Sequence, residues 1–346
     1  MESKPYFFDL DRNQLKEYML SVGEPAYRVS QVWQAMYTHT MSSPQEISSL
    51  SKSLRTRLQQ DIIFSHLEPV ESQGSSDQET VKTLFNLPDG ARIETVLMHY
   101  DERETLCISS QAGCAMGCVF CATGQMGFKR NLSSGEIIEQ VIYYARELAT
   151  HGKKVTNIVI MGMGEPFHNY EAVVSAINRL NDPGGMNLGA RRFTISSVGI
   201  IPIIRRFATE RSQVNLAISL HAANDALRSS LLPVNRKYPL SELIPACREY
   251  VELTGRRLTF EWALIRDVND STKDARELVD LVKHLMCHVN IIPLNPTAVY
   301  PGKATSDERA LEFKSILDSS GIPCTIRLRR GIDIQAGCGQ LAAKHE

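Results

Sequence analysis

Residues 1–62 carry a helical pattern of apolar positions. Apolar side chains recur there at i, i+3 and i+4 in two groups, which are Leu15, Tyr18, Met19, Val29, Val32 and Trp33. A Gly-Glu-Pro turn at 23–25 separates the two groups. The pattern predicts a small helical unit, which serves either to pack against the rest of the chain or to dock a substrate.

The pattern changes to alternation between residues 63 and 103. Apolar and polar positions alternate at 81–85 and at 93–98, as strands with one buried face require, and a Pro-Asp-Gly turn lies between them. The polar run at 72–77 is expected to be a loop. Glu94 lies on the second strand, where an isolated glutamate ordinarily faces solvent.

From residue 104 onward, strand-like and helix-like segments alternate. The short apolar runs lie at 106–108, 157–160, 193–195, 216–218, 258–260, 289–292 and 324–326. The clearest helix between them, 133–148, opens with a capping box of Ser133 and Glu136. The alternation predicts βαβ units and a parallel sheet. We expect three parts: a helical unit 1–62, a β extension 63–103 that carries Glu94, and an α/β domain 104–346.

Composition and charge narrow the class of protein. The chain has 38 Lys and Arg against 39 Asp and Glu, so its net charge of −1 excludes a strongly basic protein but not a local basic groove. A hydrophobic content of 43% is that of an ordinary globular chain. No apolar run approaches the roughly 18 residues of a membrane span, and residues 1–4 do not open a signal peptide. We expect a cytoplasmic protein without a membrane segment.

A cluster of cysteines is the strongest chemical signal in the chain. Cys114, Cys118 and Cys121 follow the spacing Cys-x-x-x-Cys-x-x-Cys. A buried helix face has the same spacing, but Gly113 and Gly117 are poor helix formers and the segment directly follows a predicted strand. Zinc normally takes a fourth Cys or His, and none follows at close range. Three thiolates predict an iron–sulfur cube with one iron open to a cofactor or substrate.

Distinctive polar groups follow several predicted strands at the same end. Besides the cysteine loop, they are Gly162–Glu165, Ser196, Ser219–His221 and Asn295. Because parallel-barrel enzymes place their chemistry at the carboxyl ends of the strands, we expect these groups to surround one cavity. Each of them, taken alone, is equally typical of a turn, a cap or a packing residue.

The cysteine motif is that of the radical S-adenosylmethionine superfamily, and longer segments resemble the RlmN/Cfr family of adenosine methyltransferases. The resemblance rests on 121–132, 161–166, 219–222 and 331–341, and it covers nearly the whole chain. The tail Cys-Gly-Gln-Leu at 338–341 is specific to that family. The fold implied is α/β: a partial parallel (β/α)6 barrel with a small N-terminal helical domain and a short β extension.

The resemblance also implies the cofactors and their ligands. Cys114, Cys118 and Cys121 would hold one [4Fe-4S] cluster, whose open iron binds S-adenosylmethionine. Two molecules of S-adenosylmethionine would be used in each turnover. The residues that match the family's S-adenosylmethionine site are Gly164, Glu165, Ser196, Ser219, Leu220, His221 and Asn295.

Three further residues take catalytic roles from the resemblance. Cys338 would accept a methyl group and carry it as a thioether, and Glu94 would accept the proton that leaves the base. Cys107 would form a transient disulfide with Cys338 and so release the product. Such a cycle is needed because the carbon at adenine position 2 has no usable lone pair to attack a methyl donor.

The substrate implied by the resemblance is RNA: an adenosine in 23S ribosomal RNA, methylated at carbon 2, and in many bacteria a transfer RNA as well. Basic groups that would contact phosphates around a splayed-out nucleotide lie at 129–130, 191–192, 205–206, 256–257 and 327–330. Each is equally typical of a solvated pair. An electron donor such as flavodoxin or ferredoxin and a thiol reductant are also implied, and we expect a monomer.

Other functions stay open at this point. The second branch of the family methylates carbon 8 and confers ribosomal antibiotic resistance, although Gly-Glu-Pro at 164–166 favours the first branch. The chain departs from the usual family pattern at Gly337, Ile332 and 297–300, which leaves the target position undecided. A radical activase or oxidoreductase is disfavoured by Cys338. A non-catalytic iron–sulfur RNA-binding protein would hold the cluster without cleaving S-adenosylmethionine.

Overall fold

The computed structural model describes residues 4–295, 297, 299–327 and 334. Its helices are α1 (Arg12–Ser21), α2 (Arg28–Tyr37), α3 (Lys52–Asp61), α4 (Ala122–Gln125), α5 (Ser134–Thr150), α6 (Tyr170–Asn181), α7 (Ile201–Thr209), α8 (Asp225–Leu231), α9 (Leu240–Thr254), α10 (Thr272–Val282) and α11 (Asp307–Ser319). Within these residues, no helix is both long and apolar enough to cross a bilayer.

From residue 128 onward, at least one helix separates each two consecutive strands. The strands are β1 (Glu68–Gly74), β2 (Thr80–Asn86), β3 (Arg92–Tyr100), β4 (Arg103–Cys107), β5 (Gln111–Gly113), β6 (Phe128–Asn131), β7 (Asn157–Ile160), β8 (Phe193–Ser197), β9 (Asn215–Ser219), β10 (Leu258–Leu264), β11 (Cys287–Pro293) and β12 (Cys324–Ile326). Every apolar run predicted as a strand lies in or beside one of them.

One ten-stranded sheet organises the molecule, in the order β1-β2-β3-β4-β7-β8-β9-β10-β11-β12. Strands β1 to β4 are antiparallel neighbours, and β4 begins a parallel series that runs to β12. Among the described residues, β12 does not pair with β1, so the sheet is open. The expected α/β fold, a parallel barrel that is only partial and has a β extension, is confirmed.

Helix α5 begins where the sequence predicts. Ser133 caps it: the Ser133 hydroxyl accepts from the backbone N–H of Glu136, and the Glu136 carboxylate accepts from the N–H of Ser133 at 2.9 Å. One face of α5 is fully buried through Ile137, Val141 and Tyr144. The capping box satisfies N–H groups that the first helical turn leaves free, which fixes the starting point of the helix.

The N-terminal helices pack onto α5. The buried carboxylate of Glu139 on α5 accepts hydrogen bonds from the hydroxyls of Tyr6 and Ser65 and from the N–H groups of His66 and Leu67. Gly135 allows the close approach, since a Cβ there would lie 2.5 Å from the Tyr6 ring. Phe7 and Trp33 belong to the same hydrophobic core as the barrel helices. The predicted helical unit therefore shares its core with the barrel.

The polar run at 72–77 was wrongly expected to be a loop throughout. Its first part belongs to β1, which pairs with β2 in antiparallel register. β1 is an edge strand with mostly exposed or half-buried side chains, so it carries no alternation of apolar residues. Hydrogen bonding to β2, rather than burial, makes it a strand.

Candidate active site

A cavity of about 360 Å³ opens at the carboxyl ends of the parallel strands. Among its lining residues are the three clustered thiols, Cys114, Cys118 and Cys121. The strand-end residues that line it are Gly164, Glu165, Ser196, Ser219, His221 and Asn295, and Glu94 and Cys107 line it as well. The volume lies within the range of small-molecule sites.

Leu220, one of the predicted site residues, does not line this cavity. The side chain of Leu220 is fully buried in the hydrophobic core, and its backbone N–H donates to the Glu261 carbonyl at 3.0 Å. Cys338 lies outside the described residues. The roles of both residues stay predictions.

The cysteine loop is held by its own backbone and by α8. The N–H of Cys114 donates to the Gly127 carbonyl at 2.8 Å, which joins β5 to the loop before β6. The N–H of Val119 donates to the Leu231 carbonyl, the last of α8, at 3.1 Å. α4 begins directly after Cys121. As expected from the glycines at 113 and 117, the segment between the cysteines is not helical.

The three thiols of the cysteine loop are candidate ligands for an iron–sulfur cluster. Among the described residues, no three His, Cys, Asp or Glu side chains lie close enough together to hold one ion. Burial raises the pKa of Cys114 to about 12, and the N–H of Met116 opposes this. Such N–H groups stabilise thiolate sulfur, the form in which cysteine binds iron–sulfur clusters.

Gly164 brings the backbone after β7 against Gln111 at the start of β5. Its φ is +103°, and a Cβ there would lie 2.5 Å from Cβ of Gln111. The side-chain oxygen of Gln111 accepts from the N–H of Glu165 at 2.8 Å. Only glycine satisfies both the backbone angle and the space, so the turn is built for close approach.

Glu165 is a buried carboxylate with two backbone donors. Its oxygens accept from the N–H of Phe167 and the N–H of Val198, both at 2.9 Å. Burial raises the pKa of Glu165 to about 7, and these hydrogen bonds act in the opposite direction. The carboxylate thus joins the end of β7 to the end of β8.

His221 presents a neutral imidazole to the cavity. Its Nδ1 accepts from the N–H of Ala263 at 2.8 Å, and burial lowers its pKa to about 3. The proton of the neutral ring is therefore on Nε2, which is a donor. Asn269 accepts from the N–H of Ile265 and donates to the His221 carbonyl, which holds this left-handed residue (φ +60°) in place. Phe120 of the cysteine loop packs edge-on against the ring.

Glu94 is buried, contrary to the expectation for an isolated glutamate on an alternating strand. It is 2% exposed, and Nζ of Lys82 lies 3.7 Å from its carboxylate. Lys82 on β2 is itself fully buried. The cation on the neighbouring strand compensates the charge of the acid, and this makes the burial of Glu94 tolerable. No local feature of the sequence identified Lys82.

Cys107 is the last residue of β4 and half-buried at the cavity wall. Burial raises the pKa of its thiol to about 11, and the Arg327 guanidinium lowers it. Arg327 also lines the cavity, together with Glu261, whose carboxylate accepts from the Asn290 amide at 2.9 Å. Sequence analysis missed Glu261, although a single acid inside the apolar strand Leu258–Leu264 was a usable signal.

Several of the basic groups expected to contact phosphate already have acidic partners. Arg130 pairs with Asp89 and Glu136, Arg205 with Glu249, and Arg206 with Glu171 and Glu210. Such pairs favour the explanation of solvated or structural arginines at these positions. Arg329 and Arg330 lie outside the described residues.

Comparison with known proteins identifies the family. Residues 108–281 match the model of the radical SAM superfamily, and residues 7–63 match that of the ribosomal RNA large subunit methyltransferase N-terminal domain. A probable dual-specificity RNA methyltransferase RlmN of Chloroflexus aurantiacus is 48% identical, over 98% of this chain and 93% of that protein. A dual-specificity RNA methyltransferase RlmN of Myxococcus xanthus is 45% identical, over 98% and 94%.

A solved structure supports the same assignment. The crystal structure of a radical SAM methyltransferase from Sphaerobacter thermophilus superimposes with a TM-score of 0.95, at 50% identity, and covers 97% of this chain and 98% of that one. A sequence identity of 50% indicates a shared family and not only a shared fold. The chain therefore belongs to the radical SAM superfamily and, within it, to the RlmN family of methyltransferases.

Proposed function

We propose that the protein methylates carbon 2 of an adenosine in 23S ribosomal RNA and that a transfer RNA is its second substrate. The names of the relatives from C. aurantiacus and M. xanthus support an RNA methyltransferase with two specificities. The observation that carries the proposal is that one cavity is lined by three clustered thiols, a buried carboxylate at Glu94 and a further thiol at Cys107.

Membership of the superfamily implies a [4Fe-4S] cluster and S-adenosylmethionine as cofactors. In our proposal Cys114, Cys118 and Cys121 ligate the cluster and leave one iron open. The S-adenosylmethionine site is formed by Gly164, Glu165, Ser196, Ser219, Leu220, His221 and Asn295, with Leu220 contributing backbone. When the cluster and S-adenosylmethionine are both bound, the two cofactors would supply a methyl group and a radical that removes hydrogen from it. Each turnover would use two molecules of S-adenosylmethionine.

The chain itself carries the methyl group and the proton. Cys338 holds the methyl group as a thioether and presents it to the base. Glu94 accepts the proton from carbon 2, and Nζ of the neighbouring Lys82 lies 3.7 Å from its carboxylate. The Cys107 thiolate then attacks the sulfur of Cys338, and the bond from that sulfur to the methylene carbon breaks. The methylene takes up a proton, so the methylated base leaves as the disulfide forms.

The remaining partners follow from this cycle. A low-potential electron donor such as flavodoxin or ferredoxin would supply the electron that the bound cluster needs, and a thiol reductant would reopen the disulfide. We assign residues 1–62 to RNA docking, 63–103 to the β extension that carries Glu94, and 104–346 to the barrel with the Cys338 loop. The protein acts as a monomer in the cytoplasm.

Mass spectrometry of nucleosides tests the proposal. A deletion strain should lose 2-methyladenosine from 23S ribosomal RNA and from transfer RNA, and the wild-type gene should restore it. A gene carrying Glu94→Gln should not, whereas Glu102→Gln, a change in the turn before β4, should restore it. Loss of 8-methyladenosine instead would favour the other branch of the family. Unchanged RNA would contradict the methyltransferase proposal.

A further inference from the structure

Arg228 is a fully buried arginine whose guanidinium is saturated by oxygen acceptors. It lies on α8, and its side chain is 0% exposed. Its nitrogens donate to the carbonyls of Val198 at 2.8 Å, Leu220 at 3.1 Å and Ser219 at 3.2 Å. A further bond of 2.7 Å runs to the side-chain oxygen of Asn235. Such a rigid planar fork fixes the relative positions of the groups it contacts.

The three carbonyls belong to the strand ends that form the cavity. Val198 directly follows β8, which carries Ser196, and Ser219 ends β9. Leu220 lies between Ser219 and His221, both of which line the cavity. One guanidinium therefore sets the spacing between two neighbouring strand ends at the proposed S-adenosylmethionine site.

The helix that carries Arg228 also holds the cysteine loop. The carbonyl of Leu231, at the end of α8, accepts from the N–H of Val119, between Cys118 and Cys121. Leu231 and Leu232 pack with Cys118 in a small hydrophobic cluster. A shift of α8 would therefore move both the strand ends and the loop.

The charge of Arg228 has no direct acidic partner among the described residues. Asp225 accepts from the Asn235 amide at 2.9 Å and does not contact the guanidinium. Burial lowers the pKa of Arg228 to about 10, so the side chain stays protonated at neutral pH. A buried cation without a counter-charge is costly. A cluster bound by three thiolates has a net negative charge, which increases on reduction and would offset it.

We propose that Arg228 is a positioning residue that aligns the ends of β8 and β9 with the cysteine loop, and that its charge raises the reduction potential of the cluster. This inference rests on the proposed function only in placing the cluster at Cys114, Cys118 and Cys121 and S-adenosylmethionine at the strand ends. The net charge around a cluster is one of the factors that set its potential.

Two substitutions separate the two parts of the proposal. Arg228→Lys keeps the charge and loses the fork, whereas Arg228→Met loses both. Arg206→Met is the matched control, because Arg206 is exposed and paired with Glu171 and Glu210. Each protein is reconstituted anaerobically, and its iron content, the midpoint potential of its cluster and its affinity for S-adenosylmethionine are measured.

Both Arg228 variants should bind S-adenosylmethionine about tenfold more weakly, because charge-assisted hydrogen bonds to the strand ends are lost. Only Arg228→Met should show a lower midpoint potential, and Arg206→Met should match the wild type in both measurements. A wild-type potential in Arg228→Met would overturn the electrostatic part. Wild-type affinity in Arg228→Lys would overturn the positioning part.

If Arg228→Met fails to fold, Arg228→Lys decides, since it keeps the charge on a long side chain. The midpoint potential of Arg228→Lys should equal that of the wild type. A fall in its potential would contradict the electrostatic part of the proposal. A wild-type protein that binds cluster and S-adenosylmethionine but methylates no RNA would instead overturn the proposed function, and the Arg228 inference would stand.

Discussion

Nη2 of Arg327 lies 3.6 Å from Sδ of Met98, although the two residues are 229 positions apart. Met98 is on β3, and Arg327 follows β12, the last strand of the sheet. The N–H of Arg327 donates to the carbonyl of Ile291 at 2.7 Å, which anchors its backbone to β11. The sheet thus curves until its last strand faces β3, and the guanidinium reaches across the cavity toward Cys107.

Removal of the Arg327 charge should make Cys107 less reactive. The pKa of this thiol is already about 11, above its ordinary value of 9.0, because the thiol is buried, and Arg327 opposes that rise. The thiolate is the nucleophile, so a higher pKa lowers reactivity at any pH below it. In Arg327→Met, alkylation of Cys107, followed by peptide mass spectrometry, should need a higher pH than in the wild type.

Arg327→Lys is the control for this effect, because it retains a positive charge at the same position. Its alkylation profile should lie closer to the wild type than that of Arg327→Met. Identical pH profiles for all three proteins would show that Arg327 does not act on Cys107.

Loss of one cluster cysteine should abolish cluster binding. In Cys118→Ala the cube would lose one of only three protein ligands, so the anaerobically reconstituted protein should lack the visible iron–sulfur absorbance and full iron content. Cys247→Ala is the control, because Cys247 is a buried free thiol on α9 that does not line the cavity. Equal iron in both variants would refute the assignment of Cys118.

Substitution of Cys107 and of Cys338 should block the methyl-transfer cycle at different steps. Cys338→Ala cannot carry the methyl group, so no covalent link to RNA should form. Cys107→Ala should load and transfer the group but not release the base, and RNA should remain bound to the protein through Cys338. Mass spectrometry of protein purified from cells distinguishes the two outcomes. Free, methylated RNA made by Cys107→Ala would exclude the resolving role.

Gly164→Ala should impair S-adenosylmethionine binding specifically. The new Cβ would lie 2.5 Å from Cβ of Gln111, at a φ of +103°. Such a substitution combines backbone strain with a clash at the cavity wall, and we expect binding to weaken by at least about tenfold. Gly152→Ala has a similar backbone cost (φ +68°) but meets nothing within 4 Å, so equilibrium dialysis should find its affinity unchanged.

Glu139→Ala should destabilise the attachment of the N-terminal helices. It would leave four donors without their shared acceptor, two of them backbone N–H groups of His66 and Leu67. The free energy of unfolding should fall by about 3 kcal/mol, against about 1 kcal/mol for Tyr6→Phe, which removes one donor. Urea unfolding measures both. Equal losses of unfolding free energy in the two variants would show that the Glu139 carboxylate is not what stabilises this contact.

Regular features of the chain were predictable from the sequence because they leave local patterns. Alternating strands and helices, the Ser133 cap and the irregular cysteine loop all follow from spacing and residue type. Lys82 and Arg228 were not predictable in this way. Each is one charged residue in an otherwise ordinary strand or helix, and its burial depends on partners from other elements.

The edge strand β1 was missed for a related reason. Its side chains are mostly polar, and only its backbone pairing with β2 defines it. The position of Glu94 was predicted on the correct strand, but its burial was not, because the compensating Lys82 lies on the adjacent strand. Long-range pairing of charges leaves no periodic signal along the chain.

The shared core between the N-terminal helices and α5 limits how this protein can be recombined with its relatives. Phe7 and Trp33 pack in one core with the barrel, and Glu139 of α5 accepts from Tyr6. A chimera that exchanges only residues 1–62 would place foreign side chains against a native α5. A segment that keeps these contacts intact must therefore include α5 together with residues 1–62.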